Sequence, residues 1–174
     1  MTGKNIRKLV LAALLAALTA VATMIIRIPT PTQGYIHLGD GMVLICGILL
    51  GPGLGALAAG IGSLAWVPGT FAIKALTALL GGWLYHRMAG KGMNTITRVV
   101  LCGIPAEIIM VLGYFVYEVG MEVVMGSSMG AAAAAVVLGV PMNIVQGIAG
   151  IIVGAVLLPV LSHASAEMGE KIRA

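Results

Sequence analysis

Apolar runs separated by short breaks of glycine, proline and polar residues dominate the chain. The first run, Asn5 to Ile26, predicts a helix long enough to cross a bilayer, since about 20 residues at 1.5 Å each cover the hydrocarbon core. A polar interlude follows, Ile28-Pro29-Thr30-Pro31-Thr32-Gln33-Gly34-Tyr35-Ile36-His37-Leu38-Gly39-Asp40-Gly41. Pro29 and Pro31 push the residues before them toward extended geometry, so this stretch is read as a long loop rather than helix. Met42 to Leu50 and Leu54 to Ala65 are short apolar segments separated by Gly51-Pro52-Gly53, read as a turn. One kinked span from Met42 to Ala65 is the alternative. Trp66-Val67-Pro68-Gly69 breaks the pattern again, and helices follow at Thr70 to Met88 and Thr95 to Glu118. Gly120 to Gly130 reads as a loop, and Ala131 to Leu138 as a short helix on or in the membrane face. Pro141, well placed in a first helical turn, opens a last helix to about Ser162. The fold class expected is an all-α integral membrane protein: a bundle of six transmembrane helices over residues 1–162, with a long outer loop between the first two and a soluble tail over 163–174.

Composition turns that pattern into a class. Hydrophobic residues make up 60% of the 174 and charged residues 9%, with a mean hydropathy of +1.08. Soluble domains carry about 25% charged residues, so lipid must solvate this chain. Glycine, 25 residues, is abundant in the way membrane helices use it, to let backbones approach closely. Cys46 and Cys102 fall inside apolar segments and read as small buried hydrophobes rather than a disulfide or a zinc pair.

The net charge of +4 is concentrated at segment ends. Lys4, Arg7 and Lys8 precede the first helix, Arg87, Lys91 and Arg98 flank the turn before the fifth, and Lys171 and Arg173 close the chain. Six spans put all three groups on one side, the cytoplasmic one by the excess of basic residues there, whereas five spans would split them. Membrane topology therefore accounts for the charge without a nucleic-acid partner.

Small residues recur at helical spacing in the first helix: Ala12, Ala16 and Ala20 on one line, Ala13 and Ala17 on another. Such a stripe lets another helix pack at close range, from this chain or from a partner. The glycine series Gly47, Gly51, Gly55 and the pair Gly150, Gly154 suit packing within the bundle. Ionisable and amide groups inside spans are costly and so more telling. Glu107 falls near mid-membrane. Lys74 lies a turn or so into the fourth helix, where reaching back to the interface is the plain alternative. Asn143 and Gln146 share a face of the last helix, and Tyr114 and Tyr117 sit toward the outer half of the fifth. With the polar loop, these groups converge on a pocket opening outward, suited to a small hydrogen-bonding molecule. Asp40 is read differently, as an N-terminal cap of the second helix.

His37 and Asp40 make half a metal site at most, because His86 and His163 lie on the opposite side, so no metal and no cofactor are expected. No His-Glu-x-x-His and no phosphate-binding loop occurs, which excludes ATP hydrolysis, and no catalytic pair can be assembled. A binding subunit, a small proton-coupled transporter using Glu107, and a structural membrane protein all remain open on these residues alone.

Several stretches together resemble the substrate-binding (S) components of energy-coupling-factor (ECF) vitamin transporters. They are the alanine stripe, Thr32-Gln33-Gly34-Tyr35-Ile36-His37-Leu38-Gly39-Asp40, Leu50-Gly51-Pro52, Gly60-Ile61-Gly62-Ser63 and Pro68-Gly69-Thr70-Phe71-Ala72-Ile73-Lys74. Glu107-Ile108-Ile109-Met110-Val111-Leu112-Gly113-Tyr114-Phe115 and Pro141-Met142-Asn143-Ile144-Val145-Gln146-Gly147 complete the set. The resemblance is nearest to the hydroxymethylpyrimidine, pyridoxine and riboflavin-type subgroup. It implies a prokaryotic plasma-membrane protein with cytoplasmic termini that captures a water-soluble vitamin outside and releases it inside. The loop would be the lid, and Tyr35, His37, Lys74, Glu107, Tyr114, Asn143 and Gln146 would contact or frame the ligand. Ala12, Ala13, Ala16, Ala17 and Ala20 would dock a transmembrane coupling subunit that in turn binds two ATPases. One departure is that Ser63 to Pro68 is short and lacks the acidic residue expected there in many relatives.

Overall fold

The computed structural model describes residues 3–25, 27–29, 35–64 and 68–167. Its helices are α1 (Gly3–Ile25), α2 (Gly39–Leu50), α3 (Pro52–Gly62), α4 (Pro68–Arg87), α5 (Thr95–Val124), α6 (Met129–Val136) and α7 (Val140–Glu167), with a 3-10 turn, Val137–Gly139, before α7. Strands β1 (Arg27–Pro29) and β2 (Tyr35–His37) form an antiparallel hairpin in which Arg27 pairs His37, Ile28 pairs Ile36 and Pro29 pairs Tyr35. The expected α1–α2 loop thus contains a short ladder, which pairs backbone groups of its two arms. Residues 30–34 of it lie outside the described residues.

Six helices, α1 to α5 and α7, form the all-α membrane bundle, and α2 is its axis. It packs on α1, α3, α4 and α7, and every residue from Gly39 to Leu49 is buried. A helix enclosed on all sides should be apolar all round, and Met42-Val43-Leu44-Ile45-Cys46 is. Close approach needs small residues. A methyl group on Gly47 would strike the Ala78 carbonyl of α4, and one on Gly82 would stand 2.9 Å from Gly47 Cα. Gly51 turns the chain between α2 and α3 at φ +82, a conformation that costs glycine nothing. Gly55 then rests on Cys46 and Gly47, so the chain doubles back and the single-kinked-span alternative is excluded.

Both α2, 12 residues, and α3, 11 residues, cover about 18 Å or less, short of a bilayer core of about 30 Å. Asn5–Ile25, Thr95–Val124 and Met129–His163 are long and apolar enough to cross. The helices present large apolar side chains outward, among them Val10, Ile25, Val116, Val124 and Val156, as a lipid-facing surface should.

Two helices run well past the ends read from the sequence. α5 continues past Glu118 and through Gly120 to Val124, ending only where Gly126 takes φ +103. One interior glycine costs about 1 kcal/mol against alanine, too little to stop a helix otherwise apolar and continuous. α7 runs beyond Ser162 to Glu167, into the stretch expected to be tail, and residues 168–174 lie outside the described residues. At the end of the bundle away from the hairpin, the Arg98 guanidinium stacks 3.9 Å over the Tyr85 ring and donates to the Tyr85 carbonyl at 3.0 Å. That contact pins the start of α5 to the end of α4.

Candidate functional site

α2 begins deep. Asp40, in its first turn, faces Gly150, about 15 Å along α7 from Val140. The half of the bundle above that level therefore holds the hairpin and the upper parts of α4, α5 and α7, with α6 against α5. Polar side chains gather at this junction.

Lys74 projects from α4 to form an ion pair with Asp40, and neither residue has exposed surface. Burying both charges is tolerable only because each meets the other and further partners. Asp40 Oδ2 also accepts from Gln146 Nε2 at 2.7 Å, and the Lys74 ammonium lies 5.0 Å from the centre of the Tyr114 ring, a cation–π contact. Gln146 spends both ends of its amide here. While Nε2 donates to Asp40, Oε1 accepts the backbone N–H of His37 at 3.1 Å, so one α7 side chain ties the hairpin to the buried ion pair.

Glu107 of α5 faces the same point and is 5% exposed, yet neither carboxylate oxygen has a hydrogen-bond partner among the described residues. It lies within electrostatic reach of Asp40 and Lys74. Two glycines of α7 make its room. A methyl group on Gly147 would stand 3.0 Å from Glu107 Cβ, and one on Gly150 2.7 Å from Asp40 Cβ and 3.3 Å from Glu107 Oε1.

The sequence-predicted residues fall into groups. Lys74, Glu107, Tyr114 and Gln146 are brought together, and His37 joins them through its backbone. The His37 ring is buried and its Nδ1 accepts from Gly39 N at 3.2 Å, so it covers the first N–H of α2. Asn143 is half-buried one turn before Gln146 on α7. The Tyr35 side chain lies outside the described residues, although its backbone pairs with Pro29. Tyr117 packs its ring on Gly69 at the α4 start.

One alternative is excluded and one expectation is corrected. Lys74 does not reach back to the interface, because a buried carboxylate within reach is a better partner than a long detour to water. Asp40 makes no capping hydrogen bond at the start of α2. Its side chain points into the bundle as the counterion of Lys74, and His37 takes the helix-end role. The signal for Asp40 was available: a lysine in an apolar span needs an anion, and the chain has only six acidic residues.

The buried hydroxyls nearby are absorbed locally. Thr19, Thr23, Ser63 and Thr77 each donate to the carbonyl four residues back in their own helix, at 2.7 to 2.9 Å. The alanine stripe divides. Ala12 is buried in the core and Ala16 half-buried beside Gly62 of α3, while Ala13 and Ala17 are exposed and Ala20 is half-buried.

Comparison with known proteins matches this architecture. The family model described as ECF-type riboflavin transporter, S component, covers residues 3–163. A Pyrococcus woesei protein, described as an uncharacterized protein in a gap 3' region, is 34% identical in an alignment 146 residues long that covers 77% of this chain and 87% of that one. In fold the chain is similar to the S component of a bacterial ECF transporter, with a TM-score of 0.62 at 18% identity, covering 96% of this chain and 99% of that one. The chain therefore belongs to the ECF-type riboflavin transporter S-component family: it is a membrane-embedded substrate-binding subunit of an ECF vitamin transporter, and not an enzyme.

Proposed function

We propose that the chain captures a small water-soluble vitamin or vitamin precursor, hydroxymethylpyrimidine or pyridoxine in preference, at the hairpin end of the bundle. That end faces outward, with both termini cytoplasmic. The observation that carries this reading is the polar cluster of Asp40, Lys74, Gln146 and Glu107 buried directly under the hairpin in an otherwise apolar bundle. Intramembrane ionisable groups are costly and so mark functional sites, and two amide-bearing residues, an aromatic ring and an unsatisfied carboxylate suit a nitrogen heterocycle.

The hairpin acts as a lid. Gln146 holds it to the ion pair by two hydrogen bonds, so a ligand that replaces either bond changes how firmly the lid is held. Lys74, Glu107, Tyr114, Asn143 and Gln146 contact or frame the ligand, with Tyr35 and His37 above them. Transport then uses partners: a transmembrane coupling subunit and, through it, two ATPases. Exposed Ala13 and Ala17 on α1 are the docking line, with half-buried Ala16 and Ala20 at its margin, and buried Ala12 supports it from inside.

Gln146→Ala removes both hydrogen bonds, and Asn143→Ala strips the next polar group on that face. In equilibrium binding with detergent-purified protein and the two favoured vitamins, each variant should weaken affinity about tenfold or more, the loss expected for one or two hydrogen bonds to buried partners. Unchanged affinity in both would place the ligand elsewhere.

A further inference from the structure

Building on that reading, we infer that Glu107 recognises an amidine-type edge of the substrate, an amino group beside a ring nitrogen on a nitrogen heterocycle. Three observations lead there. The cluster holds two carboxylates and one ammonium, and Asp40 already pairs with Lys74 and accepts from Gln146. Glu107 is 95% buried by the measure of its 5% exposure, and both of its oxygens lack partners among the described residues. Gly147 and Gly150 leave the carboxyl group uncrowded where any larger side chain would press on it.

A buried carboxyl group with two open oxygens is matched by two parallel hydrogen bonds. An amino group supplies a donor to one oxygen. The adjacent ring nitrogen shares a single proton with the other, whichever of the two atoms holds it. That one proton also settles the charge of the site, because Asp40 and Lys74 cancel and the Glu107–ligand pair is then neutral as a unit. A ring edge with one imide N–H between two carbonyls offers one donor and turns acceptors toward the same carboxyl group. Leaving Glu107 without any partner carries the cost of an unsatisfied buried group.

The test is a binding comparison in detergent with four protein forms: wild type, Glu107→Leu, Glu107→Gln and Gln146→Ala. The probes are hydroxymethylpyrimidine, which carries an amino group beside a ring nitrogen, its analogue with hydrogen in place of the amino group, pyridoxine and riboflavin. In wild type, the analogue without the amino group should bind at least tenfold more weakly. Glu107→Leu should flatten that ratio to within about twofold, and Glu107→Gln, which keeps an acceptor and a donor in place, should preserve most of it. Leucine replaces an unpartnered polar group, so the variant is expected to fold. Equal binding of the two pyrimidines, or a ratio that survives in Glu107→Leu, overturns the inference. So does tighter binding of pyridoxine or riboflavin than of hydroxymethylpyrimidine, while leaving vitamin capture in place provided Gln146→Ala still loses that binding. Binding of none of the probes overturns the inference and the capture reading together.

Discussion

An ammonium group with no exposed surface inside an apolar bundle has to be held by an anion, and here Asp40 holds Lys74. Removing one member of such a pair leaves the other charge buried and alone, at a cost of about 3–5 kcal/mol, whereas replacing both with apolar residues of similar volume is often neutral. Asp40→Ala should therefore lower the thermal midpoint in detergent sharply. Asp40→Leu combined with Lys74→Met should recover most of that loss and still fail to bind vitamin. Recovery of stability without recovery of binding separates the structural part of the pair from its part in the site. A double variant that binds normally would show the pair to be scaffolding only. The residues of this cluster were unevenly legible. Lys74, Glu107 and Gln146 declare themselves as polar groups within apolar runs. Asp40 stands beside two glycines at a helix start, where a capping role is the ordinary expectation. Its true role depends on a partner 34 positions away, which helical periodicity does not reveal.

At the scale of elements, α2 decides the arrangement. It is short, enclosed by four other helices and set low, so that its first turn presents Asp40 at the level of Glu107 and Gly150. Its fit against α4 depends on Gly47 and Gly82, each lacking the side chain that would strike the other helix. Gly47→Ala should destabilise the protein by about 1–3 kcal/mol through overpacking, read as a lower thermal midpoint with vitamin present and absent alike. The exposed line on α1 behaves oppositely. Ala17 is exposed, so Ala17→Trp should leave vitamin binding intact while preventing co-purification with a coupling subunit; a retained complex would move the docking surface elsewhere. The sequence marked most helix positions well, because the apolar runs and their Gly-Pro breaks are strong signals. It placed the α5 end too early, since Gly120 resembles a loop residue until its apolar surroundings are weighed. The depth of α2 was not legible, because run lengths say how long a helix is and not where in the bundle it starts.

At the scale of the whole molecule, one end of the bundle carries the hairpin and, beneath it, the polar cluster, and the other carries the Tyr85–Arg98 contact, with Arg87 closing α4 and Lys91 in the turn that follows. This asymmetry is what a subunit that takes a solute from one side and delivers it to the other would need. The proposed orientation is checked with single cysteines introduced at Ser127, near the hairpin end of α5, and at Lys91, in the turn before α5, in a background lacking Cys46 and Cys102. In intact cells, a membrane-impermeant thiol reagent should label position 127 and leave position 91 unlabelled; the reverse pattern would invert the molecule. The central claim, that the buried cluster under the hairpin holds a vitamin, is tested most directly by native mass spectrometry of gently purified protein, wild type and Gln146→Ala side by side. One small heterocyclic molecule should be bound per wild-type chain, either retained from the cell or taken up from an added vitamin mixture, and should be lost or strongly depleted in the variant. A wild-type chain that stays bare in the presence of the vitamins, or a variant that holds the same molecule equally well, would contradict it.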